Sequence, residues 1–243
     1  MHRHLTLEGN GENVREFSEH RWKDQIESKQ LKRQGHLVTT KFRIVCRTCN
    51  SGWMSELENE AKPLLIKVLN SDQLLLNEFD QKVLARWTAM KVIVDEHAES
   101  DIYVTPQEDR ELLRTKKIVP DYYAIYMGYH THESSSSWLR ISKTLAVSSD
   151  GPNPPLGKLK RNTQSISFTC GSLFVYALAV RERAINPSEF FTLPNLVQIF
   201  PIQHLEVRLP PDKTLTDAQM SNIAWALDDI KNAPNVRYSG DLP

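Results

Sequence analysis

The sequence predicts an α+β fold, in which a cysteine knuckle leads into helices and the helices lead into a mostly antiparallel sheet closed by a C-terminal helix. Three observations predict it. Cys46 and Cys49 form a Cys-x-x-Cys pair that runs through Asn50 and Gly52 straight into a helically patterned stretch. Apolar spacings of three and four then persist to about residue 115, whereas from Tyr122 the apolar residues fall in short runs rich in aromatic and β-branched side chains. Thr216 and Gln219 make the capping box of one last helix.

Residues 1–36 are polar, with Phe17, Trp22, Ile26 and Leu31 spaced to line one face of a short helix. Val38–Val45 alternates, with Val38, Thr40, Phe42 and Ile44 on one face and Lys41 and Arg43 on the other, which predicts a half-buried strand delivering the chain to Cys46. A strand, a knuckle and a helix in that order make half of a treble-clef or ββα-metal module. After Gly52 the residues Met54, Leu57, Ala61, Leu64 or Leu65, and Val68 share a helix face, with Glu56, Glu58 and Glu60 near its positive end. Pro63 is expected to bend or divide that helix. A second helix is expected from about Asp80 to Asp95, on Val83, Trp87, Met90 and Val94. Thr105-Pro106-Gln107-Glu108 predicts a third, capped by Thr105 with Glu108 closing the box.

Tyr122–Tyr129, Trp138–Val147, Ser165–Cys170 and Leu173–Val180 are the expected strands, four or five in the sheet, and Cys170-Gly171-Ser172 reads as a tight hairpin connection. Phe191–Leu209 carries prolines and predicts irregular chain, with one edge strand from His204 to Leu209. Met220, Ile223, Leu227 and Ile230 give the buried face of the last helix, with Leu215 and Met220 as its staple. The organisation expected is a module over residues 1–70 and a helical connector with an antiparallel α+β domain over 71–243.

Thirty basic and thirty acidic side chains leave no net charge, so no global field draws the chain to nucleic acid. Charge is nonetheless local, and the N-terminal stretch is basic through Arg15, Arg21, Lys23, Lys32, Arg33, Lys41, Arg43 and Arg47. No apolar run reaches the roughly 20 residues of a membrane helix, and no signal-peptide core opens the chain, which points to a cytoplasmic protein without a membrane partner. Three cysteines make no disulfide framework. Cys170, in an apolar run, is expected to be a small buried hydrophobe.

Cys46 and Cys49 can grip one metal ion, and a structural zinc site needs two further ligands. His36, a turn before the expected strand, is the preferred third ligand, with His20 as another source. Two thiols without metal and thioredoxin-like redox chemistry are the competing readings, the latter disfavoured by the lack of a βαβ context. His97 with Asp95 and Glu96, and His130-x-His132-Glu133, offer nitrogen and carboxylate groups at short spacing, and His2 with His4 a terminal pair; the terminal pair reads first as solvated and the His130–Glu133 group as a solvated turn. Tyr122 and Tyr126, on one face of a strand, are the candidates for a base-stacking platform, with core packing as the default. No phosphate-binding Gly-rich loop, nucleophile elbow or His-Glu-x-x-His helix occurs.

Cys46, Cys49, Asn50, Gly52, Trp53, Met54, Leu57 and Glu58 together resemble the C-x-x-C-N-x-G-W-M-x-x-L-E segment of HNH endonuclease-like proteins of bacteria and their phages, a likeness that covers about residues 37–95. The resemblance implies half of a structural zinc site at Cys46 and Cys49, with Asn50 holding the loop near a catalytic centre and Trp53 locking the helix against a β-hairpin. It implies a histidine base that activates water beside one Mg2+ or Mn2+, the cation offsetting charge at the phosphate. The chain departs from the family in two places. No cysteine precedes Cys46, and Glu19-His20 is followed by Arg21-Trp22-Lys23 rather than by the family's proline. The fold class thus carries only a zinc-knuckle remnant. A chain that starts late, a degenerate relative that binds without cutting, and a working His20 in altered surroundings all remain open. The functional expectation is a metal-dependent DNA endonuclease or its DNA-binding relative, with a protein-binding or inhibitory factor, or a homodimer, as the alternative.

Overall fold

The computed structural model describes residues 45–70, 73–97, 103–130, 138–143, 161–182 and 193–229. The helix expected within residues 1–36, the strand expected over 38–44, and the candidates His2, His4, His20, His36, His132 and Glu133 lie outside them. Helices α1 (Arg47–Ser51), α2 (Trp53–Leu69), α3 (Glu78–Glu96), α4 (Gln107–Lys116) and α5 (Asp217–Asp229) accompany strands β1 (Leu74–Asn77), β2 (Tyr123–Tyr129), β3 (Trp138–Lys143), β4 (Thr163–Cys170), β5 (Leu173–Val180), β6 (Val197–Phe200) and β7 (Glu206–Leu209). The fold is α+β. Five strands form one antiparallel sheet in the order β3-β4-β5-β2-β6, and β1 pairs with β7 as a separate antiparallel ribbon.

Strand alternation divides the interior into two clusters. Val175, Ala177 and Ala179 of β5 face α2 and α3, while Phe174, Tyr176, Leu178 and Val180 face α5. A strand buried on both faces reads as an unbroken apolar run, and LFVYALAV is one. Helix α3 is the centre of the first cluster. Its side chains from Val83 to Ile93 are buried nearly all round, as expected of a helix caught between a sheet and a second helix. Met54, Leu57, Ala61 and Val68 are the buried face of α2 and belong to the same cluster. Pro63 does not divide α2, because it sits on the exposed face, where water can take up the carbonyl left without a helical partner.

Several expectations need correction. Helix α3 starts at Glu78, two residues early, because Asn77 and Asp80 form a capping box: the Asp80 N–H donates to Asn77 Oδ1 at 3.0 Å and the Asn77 N–H to Asp80 Oδ2 at 3.2 Å. Strand β1 falls between two expected helices, where no element is expected, and β6 falls in the stretch read as irregular chain. Thr105 does not cap α4; Pro106 stands at that position with no side-chain cap, since the Thr105 hydroxyl is committed elsewhere. Cys170 is exposed at the β4–β5 hairpin rather than buried. Gly171 there has φ of 55°, the left-handed conformation that glycine adopts without a Cβ penalty. The capping box of α5 is present, with Gln219 N–H on Thr216 Oγ1 at 3.3 Å and Thr216 N–H on Gln219 Oε1 at 2.9 Å. Leu215 and Met220 are both buried beside it.

Candidate functional site

The knuckle is a compact corner built on backbone hydrogen bonds. Cys46 caps α1 in extended conformation, and its sulfur accepts the Cys49 N–H at 3.3 Å. The Asn50 N–H reaches the Cys46 carbonyl and the Gly52 N–H reaches the Thr48 carbonyl, each at 3.0 Å. Helix α2 then begins at once. That junction requires glycine for close approach: a Cβ on Gly52 would stand 2.7 Å from the Thr48 carbonyl oxygen, a backbone atom that cannot swing aside. Gly52→Ala is therefore expected to cost about 1–3 kcal/mol, the usual range for overpacking, read as a fall in the urea midpoint. An unchanged midpoint would contradict the tight corner.

Cys46 and Asn50 are exposed, while Cys49, Val45 and Trp53 are partly covered and pack against the α2–α3–sheet core. Trp53 thus anchors the corner to the core cluster. The Cys49 N–H, and next the Cys49 thiol, hydrogen-bond the Cys46 sulfur and hold its thiol below the ordinary value. The C-terminal end of helix α4 is tied to α2, where Lys117 Nζ pairs with Glu60 at 2.6 Å. The Arg114 guanidinium is held above its ordinary range by its hydrogen bond to Glu111 and then by the charge of that carboxylate.

A second constellation is buried at the far end of α3, and the sequence reading missed it. Glu96 Oε1 accepts the Thr105 N–H at 3.0 Å, the Val104 N–H at 3.3 Å, the Thr105 hydroxyl at 2.9 Å and the Gln164 amide; Oε2 accepts Arg110 Nη2 at 2.9 Å. The Tyr123 and Thr105 hydroxyls lie 2.5 Å apart, and Arg110 Nε donates to the Thr105 carbonyl at 2.8 Å. Arg110 also stacks over the Tyr103 ring at 4.9 Å. One residue earlier, Asp95 Oδ2 pairs with Arg140 Nε at 3.1 Å, both side chains only 1% exposed. Burial pushes the Glu96 carboxyl up, opposed by Arg110 and by the Thr105 and Gln164 donors.

Asp95, Glu96 and His97 are thus not a metal cluster. Consecutive helix residues point about 100° apart; Asp95 is taken by Arg140, while Glu96 and His97 meet different nitrogens of Arg110. Arg110 Nη1 lies 2.8 Å from His97 Nε2. A guanidinium only donates, so that nitrogen is the acceptor and the imidazole is neutral, in keeping with the lowering of its pKa by burial and then by the Arg110 charge. His130 is 2% exposed at the end of β2, not on a solvated turn. Tyr122 and Tyr126 do not share a face: Tyr122 packs toward α3 and donates its hydroxyl to Asp109 at 2.7 Å, whereas Tyr126 packs toward α5 beside Tyr176.

The Glu96 cluster is closed by its own donors, which makes it a pin between α3, α4, β2 and β4. The knuckle is the constellation open to solvent. Its two thiols fit half of a tetrahedral sulfur and nitrogen set. Among the described residues no group of three or more His, Cys, Asp or Glu is arranged to hold a metal ion, and no helix is long and apolar enough to cross a membrane. A scan against protein-family models, a search of curated proteins and a search of solved structures each found no match to this chain.

Proposed function

We propose that the chain is a DNA-binding protein of the HNH-endonuclease type, in which Cys46 and Cys49 supply half of a structural zinc site. The observation that supports this reading is the sulfur of Cys46 accepting the Cys49 N–H at a corner that leads directly into α2. Thiolates in a metal-binding Cys-x-x-Cys turn need that donor to stabilise their charge, and zinc bound there would tie the preceding chain to a helix already buried in the core. His36 is the proposed third ligand. His20 is the proposed base, with Asn50, exposed next to Cys49, holding the loop beside it. Mg2+ or Mn2+ would supply charge stabilisation at the phosphate. The described residues offer that ion no ligand set of their own.

The test is zinc content by elemental analysis of the full chain, paired with plasmid cleavage with and without Mg2+ or Mn2+. Stoichiometric zinc that is lost in the Cys46→Ala/Cys49→Ala double variant, with lowered thermal stability, is the expected result. Unchanged metal content and melting in that variant would remove the zinc site. His20→Ala abolishes cleavage and spares DNA binding if His20 is the base; cleavage that survives it rules His20 out. DNA binding without cleavage in the parent chain identifies the degenerate relative.

One observation favours the second reading, a protein-binding factor. Leu75, Phe79 and Leu205 are 56%, 65% and 74% exposed around the β1–β7 ribbon and the start of α3, where Gln81 Nε2 binds the Leu76 and His204 carbonyls. Failure to bind either zinc or DNA would direct attention to that apolar surface.

A further inference from the structure

The knuckle places two thiols on one helical turn with unequal access. Cys46 is exposed, whereas Cys49 is half-covered and packs against the core. The Cys46 sulfur lies 3.3 Å from the Cys49 backbone nitrogen, so it is folded back over the turn that carries Cys49. The corner around them is held by the Asn50 to Cys46 and Gly52 to Thr48 backbone bonds, neither of which involves a side chain. A bond between the sulfurs would therefore leave the entry to α2 in place. The remaining cysteine, Cys170, sits on the β4–β5 hairpin.

We propose that Cys46 and Cys49 form a reversible intramolecular disulfide, which withdraws both sulfurs from metal. The oxidant is a low-molecular-weight disulfide of the glutathione class. The exposed Cys46 thiolate attacks it, forming a mixed disulfide as the oxidant's S–S bond breaks and one small thiolate leaves. Cys49 then loses its proton and attacks Cys46 Sγ, closing the protein disulfide and expelling the second small thiolate. Two electrons pass from the cysteine pair to the oxidant, and the two protons given up by the cysteines end on the two small thiols. The competition with metal rests on the zinc reading above; the disulfide itself does not.

The test incubates the full chain, zinc-loaded and after chelation, in glutathione buffers of increasing oxidised fraction, followed by alkylation and peptide mapping. Expected is a peptide spanning Cys46 and Cys49 that lacks two hydrogens and is restored by dithiothreitol, with zinc released in step in the loaded sample. Cys170→Ser should behave as the parent does, and Cys49→Ser should accumulate a glutathione adduct on Cys46. Both thiols staying alkylatable in the chelated chain under excess oxidised glutathione would overturn the proposal, as would a bridge to Cys170 or an adduct on Cys170 alone. Closure of the disulfide in a chain that never takes up zinc would sustain the proposal and defeat the zinc reading.

Discussion

Arg140→Leu is expected to lower stability by about 3–5 kcal/mol, the cost of leaving one member of a buried ion pair without its partner. Arg140 lies on β3 between Leu139 and Ile141, which face α5, so its own side chain turns to the opposite face and meets Asp95 of α3. With both side chains 1% exposed, the Asp95 carboxylate has no recourse to bulk water once the guanidinium is gone. Adding Asp95→Leu to Arg140→Leu should recover most of the loss, because well-packed apolar residues of similar volume replace a buried pair at little or no cost. Urea denaturation of the two single variants and the double variant measures this coupling directly. A single-variant loss below about 1 kcal/mol, the range of exposed ion pairs, would contradict the burial, and a double variant no better than the singles would contradict the pairing.

Where one physical signal dominated, the fold was legible in the sequence. The unbroken apolar run of β5, the Cys170-Gly171-Ser172 turn and the Thr216/Gln219 box stand in the structure as expected, since each depends on residues close in sequence. What could not be read depends on partners far along the chain. Leu74–Asn77 is too short to show a period, and it becomes a strand only because β7, more than a hundred residues later, supplies the ladder. Val197–Phe200, between Pro194 and Pro201, pairs with β2 through an irregular register that its prolines do not announce. Thr105 carries every local mark of a cap. The long-range competitor won: Glu96, with its backbone and hydroxyl contacts, took up the Thr105 side chain.

The candidate site divides along the same line. Cys46, Cys49, Asn50 and Gly52 were legible because the knuckle is local chemistry, and the structure keeps them on one exposed corner. Asp95, Glu96 and His97 drew attention as a short run of titratable groups, but a linear sequence does not reveal that Arg110, Arg140 and Gln164 claim them from three other elements. One signal was available. Arg140 stands at an alternation position between apolar neighbours in WLRIS, and an arginine on a two-faced strand asks for a buried acid.

Glu96→Ala is the second change expected to have a large effect, again about 3–5 kcal/mol, because it strands a nearly buried guanidinium together with several donors. Arg110, 10% exposed, loses the partner of its Nη2, and the Val104 and Thr105 N–H groups and the Gln164 amide lose their common acceptor. Glu96→Gln keeps an oxygen for some of these donors and should cost less. The pH dependence separates charge from shape. Burial, the dominant influence, raises the Glu96 carboxyl above its ordinary value of 4.5. A carboxyl raised on folding contributes stability that is fully present below the unfolded value and is lost as pH rises through the folded value. The deficit of Glu96→Gln relative to the parent should therefore shrink as pH is raised from about 4 through the folded value, since glutamine mimics the protonated acid and does not titrate. Urea midpoints of parent and variant across that window provide the measurement. A deficit that grows with pH would mean that Arg110 and the converging donors outweigh desolvation and that the carboxyl is held down rather than up.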